Sequence, residues 1–171
     1  MLFAVIIGPT YDKAYAQILQ ANNLVEGMEL RWDLMEPLTE VQKETLSQQA
    51  TVPVIHNFGE ALTRIGSDTL YSYHNLDETP QDLEGFFARI QEKQATIYKI
   101  ATFANSTLDA LRMLLFVKEK RAQGIRLCGI CMGDKGQVSR ILAPIFGCYL
   151  NYVALDEPCA PGQLRFSELT N

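Results

Sequence analysis

The chain has 171 residues, the length of about one domain, and is 47% hydrophobic and 20% charged, which excludes a disordered or low-complexity polypeptide. Its formal net charge of −5 excludes a broad electrostatic grip on nucleic acid or an anionic membrane, but leaves room for a local basic site that takes a small anion. No apolar run nears the ~18 residues of a membrane span, and Met1-Leu2-Phe3 lacks the basic start of a signal peptide. The expectation is therefore a cytoplasmic protein with no nucleic-acid and no membrane partner.

Short apolar strands alternate with amphipathic helices along the chain. Residues 3–7 read as a strand, Gly8-Pro9 as its stop, and a helix follows from Thr10. Residues 28–35 read as a second strand, and Thr39 caps a helix reaching about Gln49. Residues 52–55 give a short third strand and 69–74 a fourth. Thr79 is an N-cap candidate with Pro80 at the first helical position, and Leu83, Phe86, Phe87 and Ile90 recur at helical spacing. Residues 96–103 read as a strand. Ser106 and Asp109 then open a helix whose apolar stripe is expected at Leu108, Leu111 and Leu115. A strand at 126–132, a helix at 137–146 and a last strand at 149–155 complete the pattern. Strand–helix alternation without linker or composition shift predicts one α/β domain over 1–171 with a parallel sheet. At this level an open doubly wound sheet and a closed barrel look alike.

Four cysteines need a reading. Cys128 and Cys131 have Cys-x-x-Cys spacing, but residues three apart on a strand point to opposite faces. No second pair completes a tetrahedral site, so no metal is expected. Cys148 and Cys159 join them as reduced packing residues.

The informative signal is polar residues inside strands. Glu29, Arg31 and Asp33 share one face of the second strand, opposite Met28, Leu30, Trp32 and Leu34. Lys99 lies among Ile97, Ala101 and Phe103, and Ser72 and His74 share a face at a strand end. A solvated edge strand and a structural histidine would give the same pattern. Polar residues at the C-terminal ends of several parallel strands are instead where barrel enzymes put their chemistry. A desolvated lysine can attack a ketone, a histidine can move protons near neutrality, and arginine can clamp a carboxylate.

Five segments in order resemble type I 3-dehydroquinate dehydratases: Glu29-Leu30-Arg31-Trp32-Asp33, Tyr73-His74-Asn75, Tyr98-Lys99-Ile100-Ala101, Met132-Gly133-Asp134-Lys135-Gly136-Gln137-Val138-Ser139-Arg140, and Ala160-Pro161-Gly162-Gln163. The likeness covers about residues 1–50 and 68–171 and is similar to chlamydial members, which are often fused to a shikimate dehydrogenase. The resemblance implies a TIM-type (β/α)8 barrel, a homodimer, no cofactor, and dehydration of 3-dehydroquinate to 3-dehydroshikimate. It further implies that Lys99 forms a Schiff base and His74 is the general acid and base. By the same carry-over Glu29 and Arg31 bind substrate hydroxyls, Arg140 grips the carboxylate, Gln163 closes over the substrate, and Met132 is an apolar wall.

The middle of the chain departs from the family. Between Leu46 and Asp68 there is no Thr-x-Arg strand, no Glu-Gly-Gly and no Asp-x-Glu strand. The glutamate of Glu-Gly-Gly orients the catalytic histidine in the family, so His74 is expected to lack that partner. Spacing agrees: His74 to Lys99 spans 25 positions, one strand–helix unit, but Arg31 to His74 spans only 43, where three units take roughly 75. The expectation is an incomplete barrel of about seven strands. The strand at 52–55 should then neighbour the one ending at His74 or leave an opening, and the final helix should be missing. Two rival functions remain at this stage: a catalytically impaired remnant of the same domain, and another Schiff-base lyase such as a class I aldolase.

Overall fold

In the computed structural model, which describes residues 1–169, eight strands form one sheet in the order β7-β6-β5-β4-β3-β2-β1-β8. The strands are β1 (Leu2–Ile6), β2 (Gly27–Arg31), β3 (Val54–Asn57), β4 (Leu62–Ile65), β5 (Asp68–Asn75), β6 (Ile97–Phe103), β7 (Leu127–Met132) and β8 (Asn151–Ala154). Helices α1 (Tyr11–Ala21), α2 (Glu40–Gln49), α3 (Leu83–Gln91), α4 (Thr107–Ala122) and α5 (Gln137–Phe146) make the crossovers, and α6 (Phe166–Leu169) follows β8. The sheet curls into a nearly closed barrel with one unsealed seam between β7 and β8.

The count of about seven strands is corrected to eight. Residues 52–55 do not neighbour the strand ending at His74, because β4 lies between β3 and β5 and is antiparallel to both. A reversed strand needs only tight turns where a parallel one needs a helical crossover of a dozen residues. Gly59 and Gly66, at φ +88° and +57°, supply backbone conformations suited to such turns. The chain thus dispenses with two helices but keeps the wall. The missing final helix is present among the described residues as one turn, α6.

Other elements also differ from the pattern. The second strand ends at Arg31, and Trp32–Leu34 forms a 3-10 turn that swings Asp33 back to bond Arg31. Helix α3 begins at Leu83 with Asp82 as its cap, whose Oδ1 accepts from Gly85 N at 2.8 Å. Thr79 caps nothing; its buried hydroxyl lies 2.8 Å from that of Thr102 and donates to Phe103 O at 3.0 Å. On α4 the expected stripe is outside: Leu108, Leu111 and Leu115 are 62%, 46% and 52% exposed. The buried face carries Ala110, Met113, Leu114, Phe116 and Val117, each large side chain worth about 1.5–3 kcal/mol in burial. Apolar residues fall on more than one face of that helix, so spacing alone could not choose between them.

Phe3, Ile97 and Tyr152 belong to the buried cluster beneath the upper layers of the barrel. Gly27 permits this packing, since a Cβ there would lie 2.3 Å from the Phe3 ring. Across the seam, Tyr149 N donates to Leu127 O at 2.8 Å below and Gly133 N to Pro161 O at 3.2 Å above.

Candidate active site

The site opens at the C-terminal ends of the parallel strands, where a cavity of about 440 Å³ is lined by all seven residues singled out from the sequence: Glu29, Arg31, His74, Lys99, Met132, Arg140 and Gln163. That volume suits a small metabolite. β6 places Lys99 centrally, in register with Ser72 of β5 and Cys128 of β7. Its ammonium reaches Glu29 Oε2 at 3.5 Å and lies 3.8 Å from the Tyr152 ring centre. Glu29 is 2% exposed, and its other oxygen accepts from Asn57 Nδ2 at 2.6 Å. A carboxylate so buried needs both partners, or its desolvation is not repaid.

His74 stands opposite Ala101, two residues beyond Lys99 along the sheet, which puts it about 7 Å nearer the mouth. Part of its ring faces solvent. Even so, desolvation by the surrounding protein, followed by repulsion from Lys99, lowers its pKa to about 4, with Glu29 opposing. The imidazole is therefore neutral at pH 7 and can accept a proton. Among the described residues no hydrogen bond orients it, which agrees with the missing glutamate.

Arg140 is aimed by the start of α5. Ser139 Oγ accepts from Cys131 N at 2.8 Å and donates to Gly136 O at 2.7 Å, tying the first turn to β7. Arg140 is only 5% exposed; among the described residues its Nε has no partner and its guanidinium makes one hydrogen bond, to Pro161 O at 3.5 Å. Among the described residues it has no carboxylate. Burial lowers its pKa, and a buried guanidinium without a counter-ion is a receptor for one. Arg31, by contrast, is half committed: Nε and one terminal nitrogen bond Asp33 at 2.8 and 2.7 Å. That hydrogen bonding holds the Asp33 carboxyl below its ordinary range.

The loop over the site is already docked. Gln163 Oε1 accepts from Cys159 N at 2.8 Å. Gly162, at φ +72°, lies so near β7 that a Cβ would meet Gly133 O at 2.6 Å. Met132 closes the apolar wall at 2% exposure. Among the described residues no group of three or more His, Cys, Asp or Glu side chains could hold a metal ion, and no helix is long and apolar enough to cross a membrane. All four cysteines are free thiols.

Sequence reasoning missed Asn57 and Tyr152. Asn57 lies just past the strand expected at 52–55, in a stretch whose family motifs are absent. Tyr152 falls inside the strand expected at 149–155, where an aromatic reads as core.

A sequence model of the type I 3-dehydroquinase family matches residues 56–171, more than half of the chain. The chain belongs to the type I 3-dehydroquinase family. The 3-dehydroquinate dehydratase of Pyrococcus abyssi is 32% identical over 143 residues, covering 82% of this chain and 64% of its own length. That of Methanocella arvoryzae is 40% identical over 119 residues, covering 66% and 52%. The chain thus spans about half to two-thirds of the length of these curated relatives. The shikimate biosynthesis protein AroDE of Chlamydia pneumoniae aligns at 27% identity over 206 positions, covering 99% of this chain and 43% of its own. An alignment longer than 171 residues means that this relative carries positions with no counterpart here. A type I 3-dehydroquinate dehydratase from Clostridium difficile superposes with a TM-score of 0.81 at 21% identity, covering 98% of this chain and 89% of that one. At that identity the match speaks for the fold.

Proposed function

We propose that this chain dehydrates 3-dehydroquinate to 3-dehydroshikimate, a step of the shikimate pathway, through a Schiff base on Lys99 and without a cofactor. One observation carries the reading: a buried lysine between a carboxylate and an aromatic face, with a neutral histidine nearer the mouth and an unpaired buried arginine in the same cavity. The Lys99 nitrogen adds to the substrate ketone, and water leaves to give an iminium. His74 accepts the proton of the adjacent C–H, and the electron pair moves toward the iminium nitrogen. The β-hydroxyl then leaves as water, taking a proton from His74, and hydrolysis returns the lysine. Arg140 pairs with the carboxylate; Glu29 and the free edge of Arg31 receive ring hydroxyls; Gln163 and Met132 cover and wall the pocket.

Appearance of the conjugated enone in the ultraviolet tests the reaction. It also separates a dehydratase from an aldolase, which would cleave a carbon–carbon bond instead. A second reading, a domain that forms the imine but turns over slowly, is favoured by one feature: among the described residues no hydrogen bond orients His74. We also propose that residues 1–171 are one barrel domain that works as a cytoplasmic homodimer. The printed name of the plant relative, a bifunctional 3-dehydroquinate dehydratase/shikimate dehydrogenase, supports fusion to a shikimate dehydrogenase as a natural context.

A further inference from the structure

Tyr152 has no role in the chemistry above, yet its ring lies against the central nitrogen of that chemistry. The Lys99 nitrogen sits 3.8 Å from the centre of the Tyr152 ring, well inside the ~6 Å reach of a cation–π contact. The side chain is 5% exposed and braced from below by Phe3, with ring centres 6.1 Å apart. Its hydroxyl is buried and finds no hydrogen-bond partner among the described residues. Nothing in the packing therefore calls for tyrosine rather than phenylalanine, and the working part is the ring face. Burial, with Glu29 and the thiols of Cys128 and Cys148, keeps the phenol protonated, so it brings no phenolate charge.

We infer that the Tyr152 ring face is the platform for the cationic nitrogen at Lys99, first as ammonium and then as iminium. This rests on the reading of Lys99 as the imine-forming residue. An iminium withdraws electrons only while it stays protonated. Glu29 supplies one negative contact at 3.5 Å, but a carboxylate that close can also take the proton away. A ring face offers negative potential with no basic atom, so it stabilises the cation without deprotonating it. The two contacts divide the work: the ring holds the charge, and Glu29 is left to accept hydrogen bonds.

The test separates ring electrostatics from ring shape. Tyr152→Phe keeps the negative face and gives up a hydroxyl that bonds nothing, so it folds and is the reference. Pentafluorophenylalanine at position 152 keeps nearly the same shape and reverses the face potential. Lys99 acetylation by acetic anhydride at one fixed pH is read by peptide mass spectrometry in both proteins. Without the platform the neutral amine is more abundant, and Lys99 should label about tenfold faster in the fluorinated protein. Equal labelling rates in the two would overturn the inference. Borohydride trapping with 3-dehydroquinate, run alongside, reports on the proposed function separately. Faster labelling with no adduct in the unmodified protein leaves the ring face as a platform for the ammonium alone and overturns its iminium role together with the dehydratase reading.

Discussion

In the proposed reaction His74 is a base only while unprotonated, and its surroundings extend that condition into acid. With a pKa of about 4 in the folded protein, the acid limb of kcat should have its midpoint well below the ordinary 6.5 of histidine. A limb centred near 6.5 would show that the ring is not desolvated. The same shift enters stability. Between pH 6.5 and 4 the unfolded chain takes up a proton that folded His74 refuses, so stability is complete above 6.5 and falls as pH drops toward 4. His56, whose pKa burial also lowers, contributes in the same direction. His74→Gln should therefore reduce that slope without abolishing it, as read by urea unfolding across this range. Arg140 gives a third prediction. Arg140→Lys replaces a fork by a point charge and should weaken substrate binding by about 1–3 kcal/mol. An unchanged KM would take Arg140 out of the site.

At the scale of elements, legibility followed how much local pattern constrained each choice. β6 and β7 were plain because apolar residues fill both faces, as in buried parallel strands. The site residues were legible through five motifs in order, since a charge inside a strand alone would also suit a solvated edge. β4 was not legible: Leu62-Thr63-Arg64-Ile65 is short, and half of it faces solvent. Its place is set by pairing with β5 through residues as close as Ile65 and Asp68, which no periodicity announces. The α4 face and the α3 cap failed for a related reason, because more than one candidate met the local rule and tertiary packing chose. Gly27 shows how tightly packing then binds. Gly27→Ala should cost about 1–3 kcal/mol by overpacking against Phe3. Adding Phe3→Leu should cost less than the sum of the single changes, since both act on one contact. Strict additivity in chemical denaturation would show that the ring moves aside freely.

At the scale of the whole molecule, the barrel stays in shape despite an unsealed seam, and one arginine is central to that. Arg126 binds Asp68 at 2.7 and 2.8 Å, Thr96 O at 3.1 Å and the Tyr149 hydroxyl at 3.5 Å, tying β5, β6 and the approach to β8 at the strand starts. Arg126→Ala should lower the thermal midpoint more than Lys43→Ala, whose partner Glu40 is on the surface. Equal effects would mean that the seam needs no clasp. On the proposed reading, the shortened wall keeps Lys99 and Arg140 in the cavity and leaves His74 with no hydrogen bond among the described residues, so imine formation should survive better than turnover. The central claim is that Lys99 is the nucleophile of this cavity. Incubation with 3-dehydroquinate and borohydride, followed by peptide mass spectrometry, should show one substrate-derived adduct on the peptide containing Lys99 and none in Lys99→Arg. An adduct on another lysine with Lys99 unmodified, or no adduct at all, would contradict it.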